Sequence, residues 1–127
     1  MNPEKVVFGF FILLALTLNF GFVYGEIDNP DHHHALELAV VLVVNLIATV
    51  LKLGDRSQMG AVLLATSLVA ILQLIGGAVI WTIAAHASAD GFTPAVLSSV
   101  VSLAAGAMVA NVVSVILLII ETTMLRR

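Results

Sequence analysis

The chain has no cysteine, one tryptophan, one tyrosine and three prolines in 127 residues, and only 10% of its residues are charged. Without cysteine there is no disulfide frame, thiolate metal site or cysteine nucleophile. A soluble domain carries roughly 25% charged residues, so so sparse a charge excludes a water-soluble globular fold. Basic residues are fewer still, five against eight acidic, for a net charge of -3. That excludes nucleic acid, which needs a basic face. The Gly-x-Ser-x-Gly and His-Glu-x-x-His patterns and a Gly-rich phosphate loop are also missing, so nothing in the sequence points to an enzyme. What is abundant is apolar: 61% of residues are hydrophobic and the mean hydropathy is +1.13. The natural solvent is lipid.

Charges cut the chain into four uncharged stretches, Val6 to Gly25, Leu38 to Leu51, Ser57 to Ala85 and Gly91 to Ile120. A membrane helix needs about 20 apolar residues. The second stretch has only 14 between Glu37 and Lys52, which suits a re-entrant segment unless both charged side chains snorkel to opposite interfaces. The basic residues decide between the two. With four spans, Lys5, Lys52, Arg56, Arg126 and Arg127 all fall on one side, while Glu26, Asp28, Asp31, Glu37, Asp90 and all four histidines fall on the other. The positive-inside rule then puts both termini in the cytoplasm. Tyr24 and Trp81 land near the outer interface, where amphipathic rings settle. The first stretch is too long for a signal core of roughly 7 to 15 residues, and Phe-Val-Tyr-Gly is a poor cleavage site. The expectation is an all-α integral membrane protein of the plasma (inner) membrane. Residues 1–127 make a single domain of four transmembrane helices in two hairpins. Inserted in one orientation, such a chain associates with itself as a parallel homo-oligomer.

The connections carry start signals. Asn29 before Pro30 predicts the start of the second helix, and Thr93 before Pro94 that of the fourth. Gly54-Asp55-Arg56-Ser57 reads as a tight polar turn. Segments three and four exceed a span, so tilt, a kink near Gly76-Gly77 or projection beyond the bilayer must absorb the excess. Residues 44–51 and 110–117 resemble one another around Asn45 and Asn111. Either a duplicated hairpin or aliphatic low complexity produces such a match.

Polar residues inside the spans are the functional candidates, because polar groups facing hydrocarbon are costly. At 100° per residue, Glu37, Asn45, Thr49 and Lys52 share one arc of the second helix, as an interhelical hydrogen-bond seam or as the lining of a pore. Ser98, Ser102, Gly106, Ala110 and Ser114 form a small-residue series at four-residue spacing, which predicts close helix packing within the chain or between subunits, or the wall of a narrow pore. Gln73 shares a face of the third helix with Thr66, Ala70 and Gly77, and Gly76-Gly77 is a flexible or close-contact point. Glu121 is out of register with both terminal arginines, so it snorkels or contributes to a ring of carboxylates. At the outer side, Glu26, Asp28, Asp31, His32, His33, His34, Glu37, His86 and Asp90 form an acidic and histidine-rich cluster. It reads as a solvated cap, as a site for a divalent cation or as a histidine pH sensor, with His33 and Glu37 four apart on one helix.

Size and span count match those of the small multidrug transporters and the fluoride channels, but the resemblance stops there. The first helix has no intramembrane carboxylate, no arginine lies within a span, and the five-to-none basic asymmetry opposes dual insertion. The leading expectation is a homo-oligomeric cation channel with an acidic outer vestibule and a neutral polar path. The alternatives are an accessory or scaffold subunit of a larger membrane complex, and a divalent metal transporter. No cofactor is required beyond a divalent cation in the last reading, and the partners are the lipid bilayer, cations and further copies of the chain.

Overall fold

The computed structural model describes residues 3–24, 34–86 and 93–125. They form four α-helices, α1 (Pro3–Val23), α2 (Ala35–Lys52), α3 (Gln58–His86) and α4 (Pro94–Leu125), each long and apolar enough to cross a membrane. At 1.5 Å per residue their lengths are about 31, 27, 43 and 48 Å, against a hydrocarbon core of about 30 Å. The doubtful second stretch is thus a full helix, because Glu37 and Lys52 are incorporated at its two ends rather than ending it.

Two of the expected helix starts differ in outcome. Thr93 caps α4 through its hydroxyl, which accepts from the Val96 N–H at 3.2 Å, and Pro94 takes the first helical position. The second helix begins at Ala35 instead of near Pro30. His34 is extended, with φ −110° and ψ 139°, and its carbonyl accepts the first helical bond from the Leu38 N–H. The expected pairing of His33 with Glu37 on one helix lies outside the described residues, which resume at His34. Gly76-Gly77 does not interrupt α3. Gly77 is buried against Val100 and Leu103 of α4, where helices approach closely.

The α2–α3 turn is built around Asp55. Its Oδ1 accepts from both the backbone N–H and the hydroxyl of Ser57, at 2.9 and 2.7 Å, while the Ser57 oxygen accepts from the Gly60 N–H and caps α3. A Cβ at Gly60 would overlap the Asp55 carboxylate, so the turn requires glycine there.

Each helix packs on its sequence neighbours, and α1 also packs on α4, which closes a ring of four antiparallel helices with its most extensive contact between α3 and α4. Large apolar side chains such as Phe10, Phe20, Leu72 and Ile116 cover the outside. Two buried apolar clusters lie within. One, near the end carrying Lys5, Lys52 and Arg56 (the basic end), joins Phe8, Ile12, Ala48 and Leu63. The other reaches toward the opposite end and includes Phe22, Leu38, Val41, Leu74, Leu97 and Val100.

Side-chain contacts fix the register around the ring. Lys5 of α1 pairs with Glu121 of α4, and Gly9 lies against Leu118. Phe8 lies under Lys52 of α2. Thr66 of α3 hydrogen-bonds Ser114 of α4, and Gln73 lies on Gly106. By this register Val23, the end of α1, stands opposite the neighbourhood of Leu103, so α4 continues for about nine residues, or ~14 Å, past α1 at the end away from the basic residues.

Candidate functional site

Every helix contributes a polar side chain to the interior of the ring. Asn19 of α1, Asn45 of α2, Ser67 of α3 and Asn111 of α4 are all 0% exposed. Gln73 of α3 is partly buried beside Gly106. In this group, seven buried atoms on five side chains have no hydrogen-bond partner: both amide atoms of Asn19 and of Asn111, Asn45 Oδ1, Ser67 Oγ and Gln73 Oε1.

The register sorts these residues into two levels. Asn19 and Gln73 stand at one level, with Gly106 opening space on α4. Asn45, Ser67 and Asn111 stand about one and a half turns nearer the basic end, ~8 Å away at 1.5 Å per residue, and the Thr66–Ser114 hydrogen bond lies beside them. Large apolar side chains lie beyond both levels, Phe8 and Ile12 on the basic side and Phe22 and Leu38 on the other, while Ala70, Ala104, Ala107 and Ala110 of the second cluster run alongside the levels themselves.

The arc expected on α2 does face inward. Asn45, Thr49 and Lys52 are buried, and Glu37 is half-buried with its carboxylate near Gly21. Asn45 and Thr49 do not bridge to another helix. Asn45 Nδ2 donates to the Val41 carbonyl and the Thr49 hydroxyl to the Asn45 carbonyl, both at 2.9 Å. The first bond turns the Asn45 amide nitrogen toward its own helix and leaves its Oδ1 as an acceptor without a partner.

The small-residue series of α4 does not keep to one environment. Ser98 and Gly106 are half-buried, Ser102 is exposed, and Ala110 and Ser114 are buried. Four residues turn a helix by about 400°, so a four-residue series drifts roughly 40° per step and winds off any straight seam. Where the series is covered at Gly106 and Ser114, its neighbour is α3 of the same chain.

At the basic end, an open cavity of about 980 Å³ is lined in part by Glu4, Lys5, Lys52, Asp55, Arg56 and Glu121. Glu121 is buried and pairs with Lys5, a contact between α1 and α4 that its spacing from the terminal arginines did not suggest. Lys52 pairs with Asp55 at 3.3 Å. The hydrogen bonds from the Ser57 side chain and backbone, with Lys52 nearby, hold the Asp55 carboxyl down from its usual 3.8 to about 2.

The histidine-rich end is mostly beyond view: Glu26, Asp28, Asp31, His32, His33 and Asp90 lie outside the described residues. His34 and His86 are exposed at the ends of α2 and α3. Among the described residues no three of His, Asp and Glu come together in a group that could hold a metal ion.

Asn19 and Ser67 were not singled out from the sequence, and Lys5 entered only through its charge. Asn19 carried a usable signal, since an asparagine amid Leu16, Leu18, Phe20 and Phe22 must find cover from lipid.

No curated protein and no solved structure matches the chain. One family does, over residues 32–122, a range that takes in α2, α3 and most of α4 and with them four of the five inward polar side chains. The chain belongs to that family, DUF6394, described as a family of unknown function.

Proposed function

We propose that the chain conducts cations across the plasma (inner) membrane, with both termini cytoplasmic, along the interior of its own four-helix ring. The observation that carries this reading is the row of buried amide and hydroxyl groups without partners. Each such group left unsatisfied costs about 1–3 kcal/mol, and in lipid there is no bulk water to relieve it. A row contributed by all four helices is stable when water or an ion occupies it. Among the described residues no carboxylate stands at the level of these amides, which favours passive conduction over proton-coupled pumping. Phe8 and Ile12 toward one end and Phe22 and Leu38 toward the other act as constrictions that open by wetting. The acidic and histidine-rich end concentrates cations before entry, and parallel homo-oligomers gather several such rings.

The test is cation flux from purified protein in liposomes. Wild type is expected to pass Na⁺ or K⁺. Asn111→Leu, which removes both unpartnered amide atoms of α4, is expected to lower flux about tenfold, the effect of about 1.4 kcal/mol on a barrier. Absence of flux for every cation overturns the proposal.

A second reading, an accessory subunit of a larger membrane complex, has one observation in its favour. A shallow groove of about 280 Å³ between α2 and α3, lined by Leu42, Ile75, Ala78, Val79, Thr82 and Ile83, offers an apolar seat for a neighbouring helix or an acyl chain. That reading predicts no flux from the chain alone. The divalent metal reading draws chiefly on residues outside the described ones.

A further inference from the structure

We infer that the level of Asn45, Ser67 and Asn111 binds one monovalent cation, stripped of most of its water and held by neutral oxygens. The inference rests on the conduction reading for the kind of cargo, and its own support is the chemistry of the three side chains. At this level the unpartnered atoms are three oxygens, Asn45 Oδ1, Ser67 Oγ and Asn111 Oδ1, against one nitrogen, Asn111 Nδ2. Three neutral oxygens from three helices suit a cation. Asn45 is oriented for the role, because its Nδ2 is committed to the Val41 carbonyl and its Oδ1 has no partner. Asn111 and Ser67 bring further unpartnered oxygens from α4 and α3, and the Thr66–Ser114 bond pins those two helices together beside them.

The ligand set also selects charge. Calcium sites use several carboxylates, and magnesium sheds its water reluctantly. Glu37 stands about two turns from Asn45 along α2, and Glu121 lies nearly three turns from Asn111 along α4, where it is paired with Lys5. Neither reaches this level, so a divalent ion would lose its water without gaining a countercharge. A monovalent ion needs less and is served by carbonyl-type oxygens alone, as in potassium-selective filters.

The experiment measures thermal unfolding of the purified full chain in detergent. It is titrated with NaCl, KCl, RbCl or CaCl₂ at constant ionic strength, balanced with N-methyl-D-glucamine chloride. Wild type is expected to show saturable stabilisation by at least one alkali cation and none by calcium. Asn45→Val and Asn111→Leu are each expected to weaken the apparent affinity roughly tenfold or more, whereas Ser102→Ala, at an exposed position of α4, leaves it unchanged. Asn111→Asp keeps the polar volume and adds a charge, so it is expected to gain a response to calcium, and it provides an independent reading if the apolar variants fold poorly. Stabilisation that does not saturate, or that survives both apolar variants and Asn111→Asp unchanged, overturns the site. If the liposomes conduct but no alkali ion stabilises the protein, the site is wrong and the conduction reading stands. Saturable binding lost in the variants supports the site, even where liposomes show no flux and the conduction reading falls.

Discussion

The ammonium nitrogen of Lys52, in the last turn of α2, sits 4.5 Å from the centre of the Phe8 ring in the first turns of α1. Lys52 is buried, and its other contact is Asp55 at 3.3 Å. The aromatic face and one carboxylate thus replace the water a lysine would normally keep, and a positive charge lies beside the apolar cluster that floors the polar row.

Lys52→Met keeps the length of the side chain and removes the charge. The loss of the ring contact is expected to lower stability by about 1 kcal/mol, read by denaturation in detergent. If cations leave by this end, removal of a like charge from their route raises flux several-fold in the liposome assay, and unchanged flux would place the exit elsewhere.

The Lys5–Glu121 pair joins the first turn of the chain to its last helix. Lys5→Met leaves the Glu121 carboxylate buried without its partner, whereas Lys5 itself is partly open to solvent. The expected loss is about 1 kcal/mol after allowance for that screening. The exchange of the two residues, Lys5→Glu with Glu121→Lys, should recover most of it. Additive losses in the double variant would show that the pair contributes nothing to closure of the ring.

Gly106 is where α4 makes room for the Gln73 side chain, because a Cβ there would lie 2.7 Å from the Gln73 amide nitrogen. Gly106→Ala is expected to displace that amide, a cost that offsets the roughly 0.5–1 kcal/mol alanine gains over glycine inside a helix, so the single variant is not stabilised. Gln73→Ala in the same chain should relieve the clash, so the double variant is less destabilised than the sum of the two. The measurement is melting temperature for all four combinations.

Asp55 ties the α2–α3 turn to pH. Its folded pKa is lowered to about 2 from 3.8, so its contribution is complete above about pH 4 and is lost as pH falls toward 2. Asp55→Asn is expected to flatten the part of the stability profile between these values, and a profile unchanged by the substitution would remove the turn as its source.

The fold was legible where the constraint was collective. Four apolar stretches point to four spanning helices, and Thr93-Pro94 marks the start of α4. Inward faces were legible on α2, where Asn45, Thr49 and Lys52 stand out against aliphatic neighbours. What escaped were relations between helices. Glu121 read alone has no partner, since Lys5 is 116 residues away in sequence. The small-residue series looked like one seam because spacing by four conceals its drift. The start of α2 was placed early because a capping pair at Asn29-Pro30 gives no warning that His34 is extended.

Among the described residues α3 and α4 are longer than α1 and α2, which leaves a step between the two pairs. A bilayer thick enough to match α1 and α2 leaves about three turns of α3 and α4 uncovered, and one that matches the longer pair buries the ends of the shorter. Lipids must therefore meet the two flanks at different thickness, or the whole chain must lean toward its short side. In either case the surrounding leaflet is deformed on one flank only. Were copies of the chain to meet in one membrane, tall flank against tall flank would relieve that deformation, and the membrane itself would favour that face before any side chain touched.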